Sequence, residues 1–470
     1  MSDLSCLTLS SKVRISLSLD ESGYDGLVLK TLVMAKAHIG DTISVEKDGI
    51  EYTGVLMPRS QIGSDQFHIV IKLSSGYNLG IRLNQTTKVR RVKAGVRKQP
   101  VLSEAQPEDK SLPKASILST GGTIASKVDY RTGAVNPALT ARDLYDTVPE
   151  LQKYANIHAK VVMSAFSENI GPKDWTKIAR DVALELESGT DGVVIAHGTD
   201  TLGFTAAALS FALQNLPVPV VLVGSQRSSD RPSSDSAMNL VGAVNLATRA
   251  NAAEVMVVMH AETGDSYLHV HRGTRVRKMH TSRRDAFQSV NDYPLFRVSE
   301  TELTELHSPL WPRDPNRKLV LKPKFEDKVA LLKTYPGIES SLIDNLIDTE
   351  YRGIIIEGTG LGHAPENLQE SIKKAIDKGI LIVMTSQCIF GRTNLNVYRT
   401  GVELLAAGVI PAEDMLPETA LVKLMWVLGN SKSTDAAKKL FLTPISGELC
   451  KRSEESEYLK SIGGIKNDRE

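Results

Sequence analysis

The sequence predicts an α/β protein with two three-layer units, each a parallel sheet with helices on both faces, preceded by a small all-β barrel domain. Three observations predict it. Short apolar runs such as Gly192-Val193-Val194-Ile195-Ala196 alternate with amphipathic stretches of helical length, first over residues 115–299 and again over 328–445. Ahead of them, from Gly26 to Val92, apolar residues recur with the two-residue period of a strand. Finally, 470 residues, 41% of them hydrophobic, suffice for two or three domains with cores of their own.

Residues 1–98 are assigned to the barrel domain. Thr42-Ile43-Ser44-Val45, Ile50-Glu51-Tyr52-Thr53-Gly54-Val55-Leu56 and Phe67-His68-Ile69-Val70-Ile71-Lys72-Leu73 alternate as strands, and Asp48-Gly49 is a hairpin turn. The basic end, Lys88-Val89-Arg90-Arg91-Val92-Lys93 with Arg97 and Lys98, is either an RNA contact or a solvated strand. No aromatic residues interleave with its charges, which favours the solvated strand. Residues 99–114, with three prolines and mixed charge, read as a linker.

In the unit at 115–299, buried strands are expected at 116–119, 192–196, 218–223 and 254–260, with helices at 173–188, 203–213 and 234–249. A proline-rich linker follows at 300–327. The unit at 328–445 has strands at 329–333, 353–357 and 379–384 and helices at 340–350 and 366–377. Its Gly358-Thr359-Gly360-Leu361-Gly362-His363-Ala364-Pro365 loop lacks the Lys-Ser/Thr ending of a phosphate loop, which disfavours ATP there. Residues 446–470 read as a polar tail.

Open α/β sheets place their sites at the carboxyl ends of strands, and the informative loops fall there. Ser119-Thr120-Gly121-Gly122-Thr123-Ile124-Ala125 follows the first strand of the larger unit. Two glycines let the main chain turn sharply and approach a ligand, although such a pair alone is more often a tight turn without chemistry. His197-Gly198-Thr199-Asp200-Thr201 follows the second strand and offers hydroxyls and a carboxylate; Gly224-Ser225-Gln226-Arg227 follows the third. Lys278 ends the basic run His271-Arg272-Gly273-Thr274-Arg275-Val276-Arg277-Lys278. By composition alone that run is an exposed or interface loop, its arginines paired with acids of another subunit. The nearby His269, His271 and His280 fit no zinc spacing, so no metal is expected.

Together, Thr123, Thr199, Asp200 and Lys278 resemble the active-site set of the type I L-asparaginases. Tyr130-Arg131-Thr132-Gly133-Ala134-Val135 resembles that family's tyrosine-bearing lid, and Ser167 falls where a ligand of the substrate carboxylate is expected. The resemblance implies Thr123 as nucleophile with Tyr130 assisting, and Thr199, Asp200 and Lys278 as a second triad. Such chemistry needs these residue types. A threonine hydroxyl is a weak nucleophile until a base takes its proton, a lysine made less basic serves, and a carboxylate keeps that lysine oriented. Main-chain N–H groups near Thr123 and Thr199 would steady the oxyanion, a contribution of roughly 2.7–4 kcal/mol per donor.

The barrel domain, for which amide hydrolysis has no need, and the stretches from Ser386-Gln387-Cys388 to Asn396-Val397-Tyr398 and from Glu413-Asp414-Met415 to Val427-Leu428-Gly429 resemble the GatD family of archaeal-type glutamyl-tRNA(Gln) amidotransferases. That resemblance implies ammonia release from glutamine or asparagine for a partner, GatE, which would use ATP and Mg to amidate misacylated Glu-tRNA(Gln). It further implies a homodimer of this chain within a heterotetramer, tRNA(Gln) held mainly by the partner, and no cofactor bound by this chain. Free asparaginases borrow an acid from a neighbouring subunit; the stretch near Tyr398 offers none, so the substrate amino group has no assigned contact.

A stand-alone L-asparaginase and a silent RNA-binding scaffold are the other readings. The net charge of +1 gives no general case for nucleic acid. Cys6, Cys388 and Cys450, odd in number and widely spaced, suggest a reduced, cytoplasmic chain. No long apolar run or signal pattern suggests a membrane or secretion.

Overall fold

A computed structural model describes residues 24–57, 67–73, 78–84, 86–94, 109–122, 124, 126–129, 134–137, 144–145, 148–227, 234–299 and 302–452. Two compact units are distinguished, one formed mainly by residues before Asp109.

In the smaller unit, β1 (Thr42–Lys47), β2 (Ile50–Leu56), β3 (His68–Lys72), β4 (Asn78–Arg82) and β5 (Lys88–Lys93) form an antiparallel sheet in the order β4-β3-β2-β1-β5. Asp48 and Gly49 both adopt positive φ, 51° and 79°, as a two-residue hairpin turn matched to strand twist requires. One departure from an all-β domain is the helix Gly26–Met34, whose Val28 and Leu32 pack with Ile43, Val45, Leu56, Ile69 and Ile71. The sequence hides this helix because Gly-Leu-Val-Leu-Lys-Thr-Leu-Val-Met is apolar nearly all round and carries no clean helical stripe. The basic β5 is exposed, and its charges meet acids of the same sheet: Lys88 and Arg90 lie within 3.8 Å of Glu46, and Arg90 equally of Glu51.

The larger unit holds an eight-stranded sheet. Its parallel part comprises β6 (Lys114–Ser119), β9 (Asn156–Val161), β10 (Gly192–Ala196), β12 (Val220–Val223) and β13 (Val255–His260), in the order β9-β6-β10-β12-β13. After β6 in the chain, β7 (Ser126–Asp129) and β8 (Ala134–Pro137) make a separate two-stranded ribbon, which belongs with the smaller unit. Along the central strands, Val194, Val221, Met256 and Val258 pack toward helix Ser236–Arg249, whereas Val193, Ile195, Leu222 and Val257 pack toward the face bearing helices Pro172–Glu187 and Leu202–Ala212. Burial on both faces is why these strands read as unbroken apolar runs.

Beyond β13 the sheet continues antiparallel through β14 (Leu268–Arg272), β17 (Phe296–Val298) and β18 (Leu303–Glu305). Between them β15 (Val276–Lys278) and β16 (Phe287–Ser289) form a hairpin. The basic run is thus partly strand, and its arginines find acids within this chain, contrary to the interface reading. Arg272 is buried between Glu254 and Asp292, Arg275 is fully buried against Asp414 at 2.9 Å, and Arg277 lies 3.3 Å from Glu418. Burial of Arg272 and Arg275 is tolerable only because each is paired and hydrogen-bonded.

β20 (Val329–Lys333), β21 (Gly353–Gly358), β22 (Leu381–Ser386) and β23 (Ile410–Pro411) form a second, parallel sheet in that order. Helix Pro417–Asn430 packs against helix Leu202–Ala212, with Phe211 and Trp426 stacked at 5.9 Å, so the two sheets share one apolar seam. The expected linker is partly sheet: β18 extends the large sheet, and β19 (Val320–Leu321) pairs with β11 (Leu213–Gln214). Residues 446–450, expected to begin a tail, instead pack down. Glu448 is fully buried on Lys423, and Arg275 donates to the Gly447 carbonyl at 2.8 Å. Polar composition misled there because the partner of each charge lies far along the chain. Among the described residues no helix is long and apolar enough to cross a membrane.

Candidate active site

The strand order places β6 between β9 and β10, so connections leave β6 and β10 toward opposite sides of the sheet. Such a switch point opens a crevice at the carboxyl ends of the strands. The loops at 120–122, 197–201 and 224–226 emerge there from hydrogen-bonded neighbours β6, β10 and β12.

Their close approach depends on glycine. Gly122 has φ +80°, and a Cβ added to it would meet Gly198 N at 2.7 Å, so any side chain would push the first loop off the second. A Cβ on Gly198 would likewise lie 2.8 Å from Ser167 Cβ. Ser167 therefore sits against the second loop. It is buried, its Oγ accepts from Asp200 N at 3.3 Å, and its carbonyl accepts from Thr201 Oγ1 at 2.5 Å.

Lys278 reaches the same place from the β15–β16 hairpin. Buried Phe287 lies opposite it, and Gly203, at the start of helix Leu202–Ala212, leaves room for the Val276 carbonyl at 3.2 Å from its ideal Cβ. Lys278 Nζ donates to Thr199 Oγ1 at 2.9 Å and to Asp200 Oδ1 at 2.8 Å. The Lys278 side chain is 16% exposed and that of Asp200 65% exposed, so this ion pair serves orientation more than stability. Thr199 and Asp200 also precede a helix N-terminus, where the backbone dipoles favour negative charge.

Of the residues singled out from the sequence, the structure thus brings together Thr199, Asp200, Lys278 and Ser167. Thr123 and Tyr130 lie outside the described residues, as does residue 133 of the expected lid. Among the described residues no group of three or more His, Cys, Asp or Glu side chains is arranged to hold a metal ion. Sequence reasoning passed over His197, although it stands inside the second loop. It is fully buried, with Nδ1 2.7 Å from the Gly198 carbonyl oxygen and Nε2 2.9 Å from Thr205 Oγ1.

Burial pushes the imidazole of His197 down to about 4 from the usual 6.5, and those of His269 and His271 to about 4 and about 3. These are lowered values for bases held neutral. Below the unfolded pKa the unfolded chain takes up protons that the folded chain refuses, so stability is greatest above about pH 6.5 and falls as pH drops toward 4, by about 1.4 kcal/mol per pH unit for each histidine. Urea midpoints measured at pH 7.5, 6 and 5, roughly spanning that window, are expected to fall steadily. A constant midpoint would contradict burial of neutral histidines.

Comparison with known proteins agrees with this architecture. Residues 114–310 match the family described as Asparaginase, N-terminal; residues 328–441 match the Glutaminase/Asparaginase C-terminal domain; residues 37–92 match the GatD N-terminal domain. Among solved structures, the thermostable L-asparaginase from Thermococcus kodakarensis is 34% identical with a TM-score of 0.64, covering 72% of this chain and 100% of that one. L-asparaginase I from Vibrio cholerae is 30% identical with a TM-score of 0.63, covering 72% and 99%. Relatives that match further along the chain are the glutamyl-tRNA(Gln) amidotransferase D subunits of Pyrococcus furiosus, 52% identical over 90% of this chain and 97% of the relative, and of Metallosphaera sedula, 50% identical over 91% and 96%. That of Methanopyrus kandleri is 48% identical over 91% and 95%. With its asparaginase fold extended by the amino-terminal domain that gives GatD its signature, the chain belongs to the family of glutamyl-tRNA(Gln) amidotransferase D subunits.

Proposed function

We propose that this chain is the amidase component of a tRNA-dependent amidotransferase, which releases ammonia from glutamine, or asparagine, so that a partner can convert misacylated Glu-tRNA(Gln) to Gln-tRNA(Gln). One observation carries the chemistry: Lys278 Nζ stands within hydrogen-bond reach of both Thr199 Oγ1 and Asp200 Oδ1. In the proposed reaction a threonine hydroxyl attacks the carboxamide carbon, and the amide nitrogen leaves as ammonia after gaining a proton. Water then cleaves the acyl-threonine. Thr123 is the nucleophile favoured by family resemblance, with Tyr130 assisting. Lys278, oriented by Asp200, takes and returns protons at Thr199. Ser167, already against the Thr199 loop, contributes its hydroxyl to the substrate carboxylate.

The relatives are named as one lettered component of a larger amidotransferase, which supports a partner. We take it to be GatE, which supplies the ATP and Mg chemistry and most of the tRNA contact, in the cytoplasm, with this chain acting as a homodimer within a heterotetramer. A stand-alone L-asparaginase accounts for the two α/β domains but leaves the amino-terminal domain without a role. The test is reconstitution: chain plus partner, supplied with glutamine, ATP and Glu-tRNA(Gln), is expected to form Gln-tRNA(Gln), with light scattering giving two copies of this chain per particle. Ammonia release without any tRNA product, from an active monomer, would favour the stand-alone enzyme.

A further inference from the structure

His197 belongs to a buried hydrogen-bonded chain that approaches the candidate site from beneath. Trp175 Nε1 donates to Thr205 Oγ1 at 3.1 Å, and Thr205 Oγ1 lies 2.9 Å from His197 Nε2. His197 Nδ1 lies 2.7 Å from the Gly198 carbonyl oxygen. A carbonyl only accepts, so Nδ1 carries the imidazole proton and Nε2 accepts from the Thr205 hydroxyl. One tautomer satisfies every member of the chain. Trp175 is itself fixed in the seam between the two α/β domains, edge-on to Phe325 at 5.6 Å.

The consequence lies in the next peptide unit. The Gly198 carbonyl and the Thr199 N–H belong to one planar trans peptide and therefore point in opposite directions. With the carbonyl turned inward to the buried imidazole, the Thr199 N–H turns away from it. The rest of the loop is pinned independently: His197 N donates to the Val223 carbonyl at 2.9 Å, and Asp200 N donates to Ser167 Oγ at 3.3 Å. Only His197 holds the Gly198 carbonyl among the hydrogen bonds described for this loop.

We propose that His197 is a positioning residue that aims the Thr199 N–H at the substrate oxygen, so that this N–H is in place when negative charge develops there. This rests on the amidase reading above. It differs from a purely structural role for a buried histidine in assigning function to one ring nitrogen: donation from Nδ1 to Gly198 matters for rate, and acceptance by Nε2 matters only in keeping the proton on Nδ1. A misaimed oxyanion donor lowers turnover while leaving ground-state binding nearly alone.

The two amide replacements separate these nitrogens. Asparagine places an N–H donor where Nδ1 stands and loses the contact with Thr205. Glutamine reaches Thr205 and leaves the Gly198 carbonyl unheld. In the purified full-length chain, His197→Gln is expected to lower kcat for glutamine hydrolysis by roughly 10²-fold with KM unchanged, as expected for loss of one oxyanion donor. His197→Asn is expected to retain most of the activity. Thr205→Val, which leaves the ring in place but frees its tautomer, is expected to lower kcat in the same sense, and it supplies the test if His197→Gln does not fold. Equal kcat losses in the Asn and Gln variants, or a Thr205→Val enzyme with parental kcat, would overturn the assignment. Thr199→Ala, run alongside, separates the two levels: an active Thr199→Ala enzyme removes the amidase site itself, whereas an inactive one with indistinguishable His197 variants removes only the role of His197.

Discussion

Thr199→Ala is expected to abolish ammonia release from glutamine and asparagine while leaving the chain folded. The hydroxyl is the group that meets Lys278 Nζ at 2.9 Å, and no other described hydroxyl occupies that position. Its loss leaves Lys278 held by Asp200 alone, so in the proposed reaction the base keeps its place and loses its proton source. Residues that act as one catalytic unit lose nearly everything when one is removed, and a fall of roughly 10³-fold or more in kcat is expected. The cost in stability should stay within about 1 kcal/mol, because Thr199 is only half-buried. Thr123→Ala is expected to be as severe, on the strength of family resemblance. Coupled-enzyme ammonia assays beside thermal melts check both, and near-normal turnover in either variant would contradict its assignment.

Lys278→Ala is expected to be comparably inactive, by roughly 10²–10⁴-fold in kcat, and Lys278→Arg is expected not to restore it. Arginine keeps the positive charge and can still pair with Asp200. Its guanidinium remains protonated at any working pH and cannot take a proton from threonine. Recovery in the arginine variant would mean that positive charge, rather than proton transfer, is what the site requires.

How much of this was legible in the sequence depends on how far apart the interacting residues lie. Strands β10 and β12 are buried on both faces, and their unbroken apolar runs disclose both their identity and the loops at their ends. Thr199 and Asp200 are adjacent, so their joint presence in one loop is visible directly. Lys278 joins them through a hairpin far along the chain, and only family resemblance connected it to Thr199. The antiparallel extension through β14 was concealed by the arginines and histidines it carries; their partners, such as Glu254 and Asp292 for Arg272, become evident only in three dimensions. Glu448 was read as part of a solvated tail for the same reason, since Lys423, which neutralises it, lies on helix Pro417–Asn430. His197 was visible as a residue and silent as a function, because a role carried by one ring nitrogen depends on what each nitrogen touches.

On the proposed function, amide hydrolysis here serves an acceptor, and a rate comparison tests that most directly. Ammonia released without an acceptor is lost, so the site should become fully competent only in the assembled complex. A partner can impose this only by binding the competent form better than the idle one, and the coupling must then show in substrate affinity or turnover. The measurement is ammonia formed from glutamine by the chain alone, by chain plus partner, and by chain plus partner with Glu-tRNA(Gln) and ATP. A rate that rises across the three and is highest with charged tRNA is predicted; equal rates in all three would contradict the coupling and leave a free-standing amidase.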